Sequence, residues 1–213
     1  MIGNDVVDLA HRGVQPGAQH PRFDARVFTE SERALIAGDA TQRVRWVLWA
    51  AKEAAYKLAK KLDAAVVWAP ARFEVSLDVD PVTVNISARG SRAHGVVQHG
   101  ARRLVLRSFE TEDYVHALAT DGAQRVGDES AGVALLGSGE DASAAARAYA
   151  CQALASRLGL APAALSVAKL GRIPVLCVDG SPARADLSLS HHGRFVAYAC
   201  ELDASAQAAR LAS

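Results

Sequence analysis

From Gln42 to Lys61 the chain carries a pattern that few folds other than a long, one-sided helix can accommodate. Val44, Val47, Leu48, Ala51, Ala55, Leu58 and Ala59 recur at helical spacing, and Ala, Lys and Glu fill most of the rest. Such a stripe needs an apolar surface to cover it, and β-prone runs stand on both sides of it. Met1 to Leu9 reads as a short opening strand, with Asp5 and Asp8 as unusual company for a core strand. The runs "RFEVSLDV", "VTVNISARG", "RRLVLRSF" and "DYVHALAT" are separated by Asp-Pro, Gly or acidic turns and read as an antiparallel meander. Between them, Thr29 caps a helix in "TESERALIAG", with Glu32 completing a capping box and Gly38 as the stop.

The polar, unpatterned stretch "TDGAQRVGDESAG" divides the chain into halves, 1–125 and 126–213. The second half offers a strand at "VALLG", a helix from about Asp141 to Leu158 closed by Gly159, then strands "PVLCV", "ADLSLS" and "FVAYACEL". The expected class is α+β, with a long helix on a small antiparallel sheet in each half and no repeat of fixed period.

With 24 basic and 23 acidic residues, no global field draws the protein to nucleic acid or an anionic membrane, so any anion site has to be built locally. Cys151, Cys177 and Cys200 form no CxxC pair and sit among apolar neighbours, the pattern of buried reduced thiols. No stretch approaches the roughly 18 apolar residues of a membrane span, so the expectation is a soluble, cytoplasmic protein.

Chemistry concentrates in three places. In "LWAAKEAAYK", Glu53 precedes Lys57 by one helical turn, which by itself describes an exposed ion pair contributing a few tenths of a kcal/mol. Trp46, Trp49 and Tyr56 around it favour a half-buried carboxylate, and such a carboxylate needs a cation or a metal. Asp5 supplies a second carboxylate, and hard oxygen donors of this kind suit Mg²⁺, which keeps much of its hydration. "LSLSHHG" places Ser188, Ser190, His191 and His192 at a strand end, as a polar turn or as donors to a phosphate. The Gly-x-Ser-x-Gly spacing of a nucleophile elbow is absent, and the cysteines lie far in sequence from the histidine pair, which removes hydrolase and zinc readings.

Together these stretches resemble the signature motifs of the 4′-phosphopantetheinyl transferases. "GNDVVD" resembles the family's Gly-x-Asp motif, "WAAKEAAYK" its Trp-x-x-Lys-Glu-x-x-x-Lys motif, and "LSLSHHGRFVAYA" its Ser-His strand, with "RVFTESE" and "LGRIPVL" as supporting matches. The motif order is that of the short trimeric holo-carrier-protein synthases, and the length is that of the two-half Sfp-type enzymes. The resemblance therefore implies a circularly permuted, monomeric pseudo-dimer with its site between the halves. Two departures stand out: Val7 occupies the second acidic position of Sfp-type enzymes, and "GRIP" replaces Gly-Lys-Pro. Asp8 matches the spacing of the short synthases, on the opposite strand face from Val7.

The activity implied is Mg²⁺-dependent transfer of phosphopantetheine from coenzyme A to a serine of an apo acyl, peptidyl or aryl carrier protein, releasing 3′,5′-ADP. By resemblance Asp5 and Glu53 hold Mg²⁺, Glu53 takes the serine proton and Lys57 meets a phosphate. Lys52, Ser190, His191, Arg172 and Arg147 complete the coenzyme contacts, with Asp8 in a supporting place. Arg12, Arg22 and Arg26 correspond roughly to the carrier-docking segment of the short synthases. The alternative is a non-catalytic relative that binds coenzyme A or a carrier protein.

Overall fold

The computed structural model describes residues 1–78, 91–122 and 129–202. The strand expected in "VTVNISARG" and the boundary at 125/126 lie outside the described residues. Alternating side chains build the opening strand β1 (Ile2–Asp8), after which come the short α1 (Phe23–Val27) and α2 (Glu30–Gly38). Helix α2 begins at the Thr29 capping box, with Glu32 accepting the Thr29 amide in return. The long apolar stripe becomes α3 (Arg43–Leu62). Four strands follow: β2 (Glu74–Asp78), β3 (Ser91–His99), β4 (Arg102–Glu110) and β5 (Tyr114–Thr120). With β1 they form a five-stranded antiparallel sheet in the order β1-β5-β4-β3-β2, which leaves one edge of β1 without a neighbouring strand.

The second half opens with β6 (Glu129–Leu135) and α4 (Ala142–Leu158), capped by the Asp141 side chain and closed by left-handed Gly159. Strands β7 (Leu165–Leu170), β8 (Ile173–Val178) and the two-residue β9 (Ser181–Pro182) make one small sheet. Strands β10 (Ala185–His192) and β11 (Phe195–Leu202) join β6 in another, ordered β10-β11-β6. The class is α+β. Strand β7 went unread in the sequence because its apolar residues are interrupted by Ser166 and Lys169. Among the described residues no helix is long and apolar enough to cross a membrane. The cysteines are free, and burial pushes the Cys200 thiol up to about 12.

Parity along the strands sets the layers. Val7 of β1 packs into the cluster formed with α3, whereas Ile2 and Val6, pointing the other way, meet Ala199, Ala197 and Phe195 of β11. The far face of β10 and β11, carrying Leu187, Tyr198 and Cys200, packs on Ala150, Leu154 and Ala155 of α4. The order through the molecule is helix, sheet, sheet, helix.

One close approach fixes the first of these contacts. A Cβ added at Gly3 would stand 2.1 Å from the Ala54 carbonyl oxygen and 2.9 Å from the Leu58 amide, so β1 lies directly against the α3 backbone. Only glycine permits that separation. Gly3→Ala is expected to lower unfolding stability by about 1–3 kcal/mol or more through overpacking. A urea titration showing no loss would mean that helix and strand can part there at little cost.

Candidate active site

The contact at Gly3 places the next outward residue on the same face, Asp5, against the following turn of α3. Lys57 Nζ donates to Asp5 Oδ1 at 2.8 Å and to the Asn4 carbonyl at 2.9 Å. An ammonium carries three donors, so one remains beyond these two. Glu53, one turn earlier, is half-buried and has no hydrogen bond or ion pair among the described residues. Burial first, and then the negative charge of Asp5, push its carboxyl up to about 7, with Lys57 pulling the other way. The two carboxylates therefore act on one another, a meeting that their distance in sequence could not reveal.

The donor set fits a hydrated divalent cation. Two carboxylates that repel each other in a half-buried setting are relieved by a positive ion, and Mg²⁺ needs few protein ligands. No group of three or more His, Cys, Asp or Glu side chains that could hold a metal occurs among the described residues.

Lys52 departs from the expectation. It points to the opposite side of α3, fully buried, where Nζ bonds Glu32 Oε2 at 2.8 Å, the Pro70 carbonyl at 3.1 Å and the Phe73 carbonyl at 2.5 Å. Glu32 in turn accepts the amides of Thr29 and Val75. With all three ammonium donors engaged inside the first half, Lys52 cannot reach a coenzyme. Burial holds its pKa below the usual lysine value, against the pull of Glu32.

Asp8 faces away from Asp5. Its carboxylate takes the amides of Ala10 and Arg194 and, on both oxygens, the Arg194 guanidinium. Burial would raise its carboxyl, but these bonds outweigh it and hold the group at about 2. Gly193 makes room: a Cβ there would stand 2.4 Å from Asp8 Oδ2, in a backbone already at φ +53°. Asp8 thus ties β1 to the β10–β11 turn.

Ser190 and His191 lie on opposite faces of β10. Ser190 is buried toward β1, and its hydroxyl has no hydrogen-bond partner; His191 is exposed. On the inner face stands His192, its Nδ1 accepting the Asp8 amide at 3.0 Å and its ring edge-on to His11. Arg147 lies half-buried on α4, bonded to Ser143, and Arg172 sits at the exposed tip of the β7–β8 hairpin. Arg12, Arg22 and Arg26 are exposed on the segment after β1. Sequence reading named His192 beside His191, and it passed over Arg194, Lys61 and the buried pair Asn4–His116, joined at 3.1 Å. Strand parity counted from Ser188 puts His192, not His191, on the face toward β1.

A family model described as the 4′-phosphopantetheinyl transferase superfamily matches residues 1–119, more than half of the 213, including Asp5, Glu53 and Lys57. No curated protein matches the chain.

Two outcomes follow from this geometry. With a folded pKa near 7 against an ordinary 4.5, Glu53 binds its proton more tightly when folded, so the metal-free protein loses stability as pH rises through that window. Glu53→Gln should be more stable than wild type at pH 8 by about 3 kcal/mol, the gap closing toward pH 4. Chemical denaturation at both pH values measures it, and a constant gap would refute the shift. Lys52→Met, which strands the buried Glu32 carboxylate, should cost about 3–5 kcal/mol in the same assay.

Proposed function

This chain belongs to the 4′-phosphopantetheinyl transferase superfamily, and on that footing we propose that it moves 4′-phosphopantetheine from coenzyme A to a serine of an apo carrier protein, releasing 3′,5′-ADP. The observation that carries this reading is the half-buried Glu53 carboxylate, poised near neutrality beside Asp5 and Lys57. A carboxylate with no bonded partner of its own is free to hold a cation or to take a proton from a hydroxyl brought against it.

In this reading the carrier serine gives its proton to Glu53, and its oxygen attacks the phosphorus bearing the pantetheine arm. The bridging P–O bond breaks and 3′,5′-ADP leaves. Lys57 is held by Asp5 and the Asn4 carbonyl, and its remaining donor offers a compact charge to the phosphate. Asp5 and Glu53 would hold Mg²⁺, which supplies charge neutralisation on the pyrophosphate oxygens. Ser190, with its unpartnered hydroxyl, is the strand residue best placed to accept a further contact, and Arg147, Arg172 and His191 would serve the coenzyme from the second half. The exposed Arg12, Arg22 and Arg26 would receive the carrier, and the protein would act as a monomer of the holo-carrier-protein synthase type.

Intact-mass spectrometry of apo carrier proteins incubated with the protein, coenzyme A and Mg²⁺ tests the reading. The expected result is a gain of one phosphopantetheine on at least one carrier, abolished by EDTA. Glu53→Gln should slow the transfer about 10²–10⁴-fold. No gain on any carrier while coenzyme A still binds would leave a non-catalytic binding protein in place of the enzyme.

A further inference from the structure

The free edge of β1 is not paired with another strand, yet its amides at Ile2, Asn4 and Asp8 and its carbonyls at Ile2 and Asn4 are engaged. The Ile2 amide donates to Asp186 Oδ2 at 2.6 Å, the Asn4 amide to Ser188 Oγ at 3.0 Å and the Asp8 amide to His192 Nδ1 at 3.0 Å. Each partner lies 184 residues on, so β10 runs parallel to β1 and offers its inward side chains where a neighbouring strand would offer carbonyls. The Ile2 and Asn4 carbonyls are taken by α3. Lys61 Nζ bonds the Ile2 carbonyl at 2.8 Å together with Asp186 and the Leu187 carbonyl, and Lys57 bonds that of Asn4.

Asn4 is therefore gripped from three directions: its amide by Ser188, its carbonyl by Lys57 and its side-chain amide by His116. The next residue is Asp5, whose carboxylate must stand at a fixed distance from Glu53. Ser188 is itself 2% exposed, and its oxygen is committed to the β1 backbone. Its bond to the β1 backbone gives it a structural role at the strand edge.

We propose that Ser188, with Asp186, Lys61 and His192, is a positioning residue of the active site: the inner face of β10 forms a side-chain ladder along the free edge of β1 that sets where Asp5 and Lys57 stand. This rests on the functional reading above. A position one rung from Asp5 should influence catalysis more than a rung at the far end of the strand, because small displacements of a reacting group are costly.

The test compares Ser188→Ala, Ser188→Thr and Asp186→Asn in the full chain, measuring carrier modification, KM for coenzyme A, and Mn²⁺ affinity by electron paramagnetic resonance. Ser188→Ala is expected to lower kcat roughly ten- to hundredfold with KM for coenzyme A unchanged, and to weaken Mn²⁺ binding in parallel. Ser188→Thr should restore both, and Asp186→Asn should change kcat less. Should the alanine variant not fold, the nearly isosteric Ser188→Cys, a weak acceptor, takes its place. Wild-type kcat in Ser188→Ala, a raised KM at constant kcat, or an equal loss in Asp186→Asn would overturn the positioning role while leaving the transferase standing. A wild type that neither modifies a carrier nor binds Mn²⁺ would instead remove the functional reading, and the positioning role with it.

Discussion

The contact of β1 with α3 across Gly3 governs the geometry of everything that follows in the first half. Because no side chain separates strand from helix, the Ala54 carbonyl lies where a Cβ would otherwise be, and the residues on either side of that point are brought into register. Asp5, two positions along the strand, lands against the turn of helix that holds Glu53 and Lys57. The glycine and the aspartate of "GND" are thus one device: the first sets the depth of approach, the second uses it. A half-buried carboxylate beside another of like charge is an unfavourable arrangement in an apoprotein. It is the kind of local cost that a site retains when its chemistry needs a base near neutrality or a cation.

The second half completes what the first leaves open. An exposed strand edge invites unwanted pairing, and proteins cover such edges in several ways. Here cover comes from side chains, Asp186, Ser188 and His192 on the amides, with Lys57 and Lys61 on the carbonyls. Asp8 and Arg194 close the end of the seam with a two-pronged ion pair. Asn4 Oδ1 and Ser190 Oγ are left as buried polar atoms without a partner. Both belong to residues on the strands that make this seam, and orphaned groups of that kind ask for a bound molecule.

Lysines one helical turn apart or nearly so illustrate how much phase matters. Lys52, Lys57 and Lys61 all belong to the same motif-bearing helix, and the sequence offers no reason to separate them. On the folded helix Lys52 faces α2 and the Glu32 capping residue, Lys57 faces Asp5, and Lys61 reaches across to β10. A capping box seen in sequence as a local device turns out to carry a buried ion pair. Its carboxylate is satisfied by two amides as well as by the ammonium, which is the condition under which such a pair can be tolerated.

The sequence by itself determined the elements whose signals are short-range. It marked the Thr29 and Asp141 starts, the Gly159 stop, the long helix within a residue at each end, and most of the strands, because capping and periodicity act over a few residues. It also gathered the candidate site residues into three stretches. Only the tertiary structure decided which face of each element meets which neighbour. That is why the inward histidine of β10 is His192 while His191 points outward, why Asp8 joins Arg194 and not Asp5, and why the Glu53 proton is held near neutral pH. Those outcomes depend on helix phase, strand parity and burial against residues up to 186 positions away, and no local pattern encodes them.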